Sequence, residues 1–249
     1  MASFVLVHGF ACDHTDWRLQ AAALAAAGHE VIAPDLRGHG AAAGTPADCS
    51  IETYGADIAA LLARKNLKGA ILAGHSMGCR VVLQACQDAS ERIGALALVD
   101  GSWPGAGDPD AAERRARESM SALGYPKYAQ GMFEEMFLAP SPLASAIVER
   151  AKRLRPEIGL VLFPGMQRWG AAHTEHCLSR VAVPLAVIQS TYLSPERKRV
   201  PMKPGETSPW LDLVRRTQPT ARIEVIAGVG HFPHLEAAQQ VNRLLLALA

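Results

Sequence analysis

The sequence lacks the features of a membrane or exported protein. Its longest apolar run, Ala21–Ala27, is alanine-rich and ends at Gly28, whereas a membrane-spanning helix needs ~20 apolar residues. The N-terminus carries no basic segment, and the apolar run Phe4–Val7 is too short for a secretion signal. We therefore expect a soluble protein with no membrane span.

Cysteine is scarce and is not spaced for pairing. The chain has 5 cysteines, an odd number, and no CxxC pattern occurs. This usage favours reduced thiols over a disulfide framework. The sequence therefore predicts a cytoplasmic protein.

Motifs for metal ions and nucleotides are also lacking. HxxHC occurs at residues 173–177 and HxxH at residues 231–234, but no second cysteine or carboxylate cluster accompanies either. No GxxxxGK[ST] pattern is present, so Gly38-His39-Gly40 is interpreted as a tight turn rather than a phosphate loop. The prediction is that the protein uses no cofactor and no metal ion.

Net charge is nearly balanced, with 25 Lys and Arg against 24 Asp and Glu. A formal charge of +1 argues against a nucleic-acid partner.

With 49% hydrophobic and 20% charged residues, the composition is that of a globular protein. The length of 249 residues suits one domain with an inserted lid. We expect a small-molecule substrate and a monomer or small homo-oligomer.

Short apolar runs alternate with stretches of helical period. Strands are predicted at Phe4–Val7, Val31–Ala33, Ala70–Ala73, Ala95–Val99, Leu185–Ile188 and Ile223–Ile226. Helices are predicted at Asp16–Ala27, Ile51–Leu62, Met77–Ala89, Trp210–Thr217 and Leu235–Ala249, with Ser50 as one N-cap. Strands that are apolar on both faces and separated by helices indicate an α/β fold with a mostly parallel sheet between helices.

Residues 103–178 interrupt this alternation. They show helical patterns at Ala111–Leu123, Tyr128–Phe137 and Pro142–Leu154, without a strand. The prediction is a helical cap over a core made of residues 1–102 and 179–249. Residues 190–209 form a long connection with four prolines, which we expect to cover a pocket or a partner surface.

A nucleophile motif lies between a predicted strand and a predicted helix. In Gly74-His75-Ser76-Met77-Gly78, flanking glycines leave room for a sharp turn that exposes the serine hydroxyl above the sheet. The N-terminus of the following helix favours negative charge developing nearby. We predict Ser76 to be a nucleophile.

Four motifs in order make the chain resemble an α/β-hydrolase. They are His8-Gly9-Phe10, Pro34-Asp35-Leu36-Arg37-Gly38-His39-Gly40, the Ser76 motif, and Gly228-Val229-Gly230-His231-Phe232. The resemblance implies the α/β-hydrolase fold, with the family's leading strand hairpin absent. It also implies that His231 is the base for Ser76 and that the backbone N–H groups of Phe10 and Met77 form an oxyanion hole.

The third catalytic residue departs from the usual family pattern. Most members carry an acid after the strand corresponding to Leu185–Ile188, but here no carboxylate occurs before Glu196. Some relatives, including certain haloalkane dehalogenases, take the acid from the preceding strand, where Asp100 stands. We predict Asp100 as the acid that orients His231. Glu196, Glu206 and the absence of a functional acid remain alternatives.

Aromatic side chains of the predicted cap are candidates for an apolar substrate pocket. They are Trp103, Phe133, Phe137 and Trp169, joined by Phe232 after the last strand. The same cap residues could instead form the core of the cap itself. As pocket residues they would favour a substrate with an apolar acyl or ring portion.

Three functions follow from these observations. The first is hydrolysis of a carboxylic ester, thioester or lactone through an acyl-serine intermediate. The second arises because the His231–Asp100 pair also resembles that of cofactor-free dioxygenases which open quinolone-type rings. The third is ligand binding or signalling on a hydrolase scaffold, since fold does not fix function.

Overall fold

A parallel β-sheet forms the centre of the computed structural model, which describes residues 1–194 and 198–249. The strands in chain order are β1 Ser3–Val7, β2 Glu30–Ile32, β3 Ala70–His75, β4 Ile93–Val99, β5 Leu185–Gln189, β6 Thr191–Leu193, β7 Arg199–Pro201 and β8 Arg222–Val225. Within the described residues, six strands form this sheet in the order β2-β1-β3-β4-β5-β8, with every neighbouring pair parallel. The predicted fold class is confirmed.

The sheet separates two hydrophobic layers because successive side chains of a strand point to opposite faces. In β1, Phe4 and Leu6 belong to one layer, while Val5 and Val7 belong to the other, and all four are fully buried. Burial on both faces explains why the strands are continuously apolar in sequence.

Helices cover both faces of the sheet. Their bounds are α1 Arg18–Ala26, α2 Ile51–Arg64, α3 Met77–Asp88, α4 Pro109–Leu123, α5 Tyr125–Glu134, α6 Pro142–Lys152, α7 Pro156–Ser179, α8 Pro209–Thr217, α9 Pro233–Glu236 and α10 Ala238–Leu246. Ser50 caps α2 by accepting a hydrogen bond from the backbone N–H of Thr53, as its sequence position predicts. No helix among the described residues has the length and apolar character required to span a bilayer.

The residues between β4 and β5 form the four helices α4 to α7. Arg150 of α6 joins this insertion to the segment after β1, because its guanidinium lies 2.5 Å from Asp16 and 3.1 Å from Asp13. The 24-residue helix α7 was not among the predicted helical patterns. Pro164 lies inside α7. Because proline normally interrupts a helix, this stretch of sequence does not indicate one continuous helix.

Two sequence-based predictions differ from the structure in the C-terminal third. The sequence predicts a long loop at residues 190–209, whereas β6 and β7 pair there as antiparallel strands. Three-residue strands are too short to show an alternating pattern in sequence. The final helix, predicted as Leu235–Ala249, is divided into α9 and α10 at Ala237, whose φ of −130° and ψ of 43° are not helical.

Candidate active site

Ser76 lies in the turn between β3 and α3, with a φ of 54° and a ψ of −112°. Residues with a side chain rarely adopt this conformation, which persists only where the surroundings enforce it. A Cβ at Gly74 would lie 2.2 Å from the Gly78 carbonyl oxygen, and a Cβ at Gly78 would lie 2.3 Å from that of Val7. Both glycines are therefore required by close backbone contacts that hold Ser76 in the turn.

His231 contacts Ser76 from the loop after β8. Its Nε2 lies 2.8 Å from the Ser76 Oγ, and its Nδ1 lies 2.6 Å from the Asp100 Oδ2. An ionised carboxylate only accepts hydrogen bonds, so Nδ1 carries the proton and Nε2 is free to accept the serine proton. The structure thus brings together the three residues predicted from sequence.

Backbone hydrogen bonds fix the position of the His231 loop. The His231 N–H donates to the Met136 carbonyl oxygen of the insertion over 2.7 Å. Glu236 accepts from the N–H groups on either side, those of Gly230 at 3.1 Å and Phe232 at 3.3 Å. Sequence reasoning did not single out Glu236, because its contacts form only once the chain turns into α9.

The environment of His231 favours the neutral imidazole. The side chain is almost completely buried, and burial lowers the pKa of His231 well below its usual value. The positive charges of Arg199 and Arg80 lower the pKa of His231 further. A neutral ring at physiological pH is the form that can accept a proton.

Asp100 follows β4 and is fully buried. Its Oδ1 accepts hydrogen bonds from the backbone N–H groups of Ser190 at 2.6 Å and Thr191 at 2.8 Å. Its Oδ2 accepts from His231, from the Thr191 hydroxyl at 2.5 Å and from Arg199 at 3.3 Å. Sequence reasoning missed Arg199, because only the hairpin β6–β7 brings it beside Asp100.

The donors around Asp100 compensate for its burial. Burial raises the pKa of Asp100, whereas the Arg199 guanidinium and the hydrogen bonds from Thr191 and Ser190 oppose that rise. Every one of these partners offers an N–H or O–H group. The site is therefore arranged around an ionised carboxylate.

The alternative acids do not share this position within the described residues. Glu206 accepts a hydrogen bond from the Lys203 N–H over 2.8 Å, within its own turn. Glu196 lies outside the described residues. Asp100 is therefore the described carboxylate that contacts His231.

Of the two predicted oxyanion donors, Met77 follows Ser76 in the chain, and Phe10 lines the same cavity as Ser76. Met77 is the first residue of α3, so its N–H has no acceptor within the helix. Phe10 belongs to the loop after β1, where a Cβ on the neighbouring Gly9 would lie 3.4 Å from the Ser76 Cβ. Gly9, Phe10 and Ser76 line the same cavity.

A cavity of about 350 Å³ opens above Ser76. Of the five predicted pocket residues, Phe133 and Phe232 line it, together with Phe10, Met132, Met136, Phe163 and Met166. Trp103, Phe137 and Trp169 do not line it.

The three remaining aromatics pack elsewhere. Trp169 is buried and donates to the Gln84 Oε1 over 3.1 Å. Phe137 stacks on Phe232 with ring centroids 5.1 Å apart, and Trp103 is partly buried against the hydrophobic core. These three side chains therefore contact other parts of the protein and not the cavity.

Among residues 1–194 and 198–249, no three His, Cys, Asp or Glu side chains are grouped as metal ligands would be.

A parallel sheet between helices, with a serine turn after β3 and a histidine loop after β8, defines the α/β-hydrolase architecture. The chain belongs to the alpha/beta hydrolase family, whose sequence profile matches residues 4–244.

Two curated relatives share about a third of their aligned residues with this chain. A dihydrolipoyllysine-residue acetyltransferase component of the acetoin cleaving system from Pseudomonas putida is 29% identical over 98% of this chain and 62% of its own length. A carbendazim hydrolyzing esterase from Nocardioides sp. is 36% identical over 43% of this chain and 45% of its own length. The chain thus spans less than two thirds of the length of these relatives.

A solved structure shares the fold over almost the entire chain. A thermophilic esterase from Thermogutta terrifontis superposes with a TM-score of 0.78 and 24% identity, covering 99% of this chain and 89% of that one.

Proposed function

We propose that the protein hydrolyses a carboxylic ester, thioester or lactone through an acyl-serine intermediate. The observation that carries this proposal is the continuous hydrogen-bonded series from Ser76 through His231 to Asp100, with separations of 2.8 and 2.6 Å. This arrangement is what activation of a weakly nucleophilic hydroxyl requires.

In the first half of the reaction, Ser76 Oγ attacks the carbonyl carbon while Nε2 of His231 takes its proton. The imidazolium is stabilised by the Asp100 carboxylate and then protonates the leaving alcohol, thiol or ring oxygen. The product of this half is an ester between Ser76 and the acyl group.

In the second half, His231 removes a proton from water as it attacks the acyl-serine, and the acid leaves while Ser76 regains its proton. The N–H groups of Met77 and Phe10 are the proposed donors to the oxyanion in both halves. Each such donor contributes roughly 10²–10³ in rate in well-studied hydrolases.

The insertion 103–178 is proposed as the cap that selects the substrate. Met132, Phe133 and Phe163 of its helices and Met136 of the turn after α5 line the cavity. These side chains favour a substrate with an apolar acyl or ring portion next to the scissile bond.

Hydrolysis of short p-nitrophenyl esters by the wild-type chain and by Ser76→Ala tests the proposal. The variant should lose turnover, and a fluorophosphonate probe should label the wild type but not the variant. A variant that keeps the wild-type rate contradicts the proposal. Oxygen uptake with an N-heteroaromatic substrate, without an acyl-enzyme, would instead support dioxygenation, while absence of both labelling and turnover would support a binding protein.

A further inference from the structure

Arg80 is a buried cation whose charge lowers the pKa of His231 but which has no direct part in the proposed nucleophilic attack or proton transfer. It stands four residues after Ser76 on α3, so both project from the same face of the turn and helix. Its side chain is 4% exposed and lines the cavity that contains Ser76 and His231.

The guanidinium of Arg80 is poorly satisfied by the protein. Its Nη2 donates to the Ser102 carbonyl oxygen at 3.2 Å and lies 3.5 Å from the Ser102 hydroxyl, whereas its buried Nε has no hydrogen-bond partner among the described residues. In the part of the chain that is described, no carboxylate lies within ion-pair distance of Arg80, in contrast to Arg199 with Asp100 and Arg150 with Asp16. A buried charge without a counter-charge is costly, so this arrangement calls for a ligand.

The fold makes room for this cation. A Cβ at Gly170 of α7 would lie 3.0 Å from the Arg80 Nε. Glycine inside a helix is less favourable than alanine by roughly 1 kcal/mol. Gly170 nevertheless lies next to the Arg80 guanidinium, where a side chain would come into close contact with it. Burial lowers the pKa of Arg80 to about 10, so the side chain is still positively charged at neutral pH.

The other charged groups of the cavity do not neutralise Arg80. Arg199 is also cationic, and it is paired with Asp100. Arg115, Glu118 and Glu135 line the cavity with exposed side chains. Most of the remaining wall is apolar, so among residues 1–194 and 198–249 the cavity offers the unpaired charge of Arg80 beside hydrophobic surface.

We propose that Arg80 binds a carboxylate of the substrate, which makes the substrate class an ester, thioester or lactone that also carries a free carboxylate. The inference rests on the proposed hydrolysis and specifies the substrate for that site. A guanidinium is suited to this role because its fork of N–H groups matches the two oxygens of a carboxylate.

Two esters of nearly equal shape test the charge alone: 4-nitrophenyl hemiglutarate and 4-nitrophenyl pentanoate. The wild type should prefer the charged ester in kcat/KM by about 10- to 100-fold, the range of a hydrogen-bonded charge pair. Arg80→Gln should bring this ratio close to one, and Arg80→Lys should retain part of it. The matched control Arg115→Gln, at an exposed cavity residue, should keep the ratio.

A second arm places the carboxylate on the leaving group, with 3-carboxyphenyl pentanoate compared with phenyl pentanoate. A preference in either arm that depends on Arg80 supports the proposal and shows which side of the ester carries the charge. Equal rates in both arms, or a preference that survives in Arg80→Gln, overturn it.

Binding separates failure of this proposal from failure of the hydrolase proposal. Calorimetry with monoethyl glutarate and ethyl pentanoate on Ser76→Ala needs no turnover. Tighter binding of the charged ligand, lost in Ser76→Ala/Arg80→Gln, supports the carboxylate site even if the wild type hydrolyses none of the esters. 3-Carboxyphenyl pentanoate and phenyl pentanoate are compared on the same variant to test the leaving-group side. Equal binding within both pairs overturns the proposal. If Arg80→Gln does not fold, Arg80→Lys replaces it in the ester assays. A kcat/KM preference for the charged ester below the wild-type value then supports the proposal, and an unchanged preference overturns it.

Discussion

The Nη1 of Arg199 lies 3.3 Å from the same Asp100 oxygen that accepts the hydrogen bond of His231. It also donates to the Thr191 hydroxyl over 2.8 Å, and that hydroxyl donates to the same oxygen. The proposed triad acid is therefore shared between its histidine and a buried guanidinium from the hairpin β6–β7.

Arg199→Met should move the acid limb of the kcat/KM profile to higher pH. The positive charge of Arg199 lowers the pKa of His231, because it opposes formation of the imidazolium. Without it the pKa of His231 rises, and the neutral base is lost at a higher pH as the solution is acidified. Arg199→Lys, which keeps the charge, is the control and should stay near the wild-type profile. An unchanged or downward-shifted limb in Arg199→Met would disprove the coupling.

Asp100→Asn should lower kcat by about 10³–10⁴-fold. An amide at this position can donate to Nδ1 and so favours the wrong imidazole tautomer, which is the established effect of this change in serine proteases. Glu206→Gln and Glu196→Gln are the controls, and each should stay within a few-fold of wild type in steady-state assays. The reverse order of losses would transfer the acid to the 190–209 segment.

Ser76→Gly should raise the free energy of unfolding while removing activity. The φ of 54° at Ser76 is strained for a serine by roughly 1–3 kcal/mol, whereas glycine adopts it freely. After the greater backbone entropy of glycine in the unfolded chain is subtracted, a gain of about 1 kcal/mol is expected in urea denaturation. Ser76→Ala, which keeps a Cβ, is the matched control without that gain. Equal stability of the two variants would argue against stored strain.

Stability should fall as the pH drops from 6.5 toward 4, in part through His39. Burial lowers the pKa of His39 from 6.5 to about 4 in the folded protein. Unfolding therefore binds a proton in this window, and stability present above pH 6.5 is lost as the pH falls through it. His39 alone contributes a slope of about 1.4 kcal/mol per pH unit.

Denaturation curves at several pH values measure that slope. His39→Gln should reduce it by the stated amount, while His176→Gln on the exposed face of α7 should leave it near wild type. A wild-type slope in His39→Gln would contradict the burial argument.

The sequence was informative where local pattern and chemistry coincide. Buried strands are continuously apolar, and the Ser76 turn needs glycines at 74 and 78, so fold class and serine turn were predictable. The placement of Asp100 beside His231 was predicted from family resemblance, and the structure brings the two side chains together.

Long-range contacts were not predictable from the sequence. Arg199 reaches Asp100 only through the hairpin β6–β7, whose short strands leave no periodic signal. Aromatic residues such as Trp103, Phe137 and Trp169 are typical of a substrate pocket. They are equally typical of a protein core, so the sequence alone does not distinguish the two. Arg80 did have a usable signal, since a charged residue one helical turn after the nucleophile must lie close to it.

The most direct test of the account is mass spectrometry of the protein quenched during turnover of a 4-nitrophenyl ester. We predict a transient mass increase equal to the acyl group, located by peptide mapping on Ser76 and lost in Ser76→Ala. Turnover at the wild-type rate with no acylated Ser76 peptide, or with the acyl group on another residue, would contradict it.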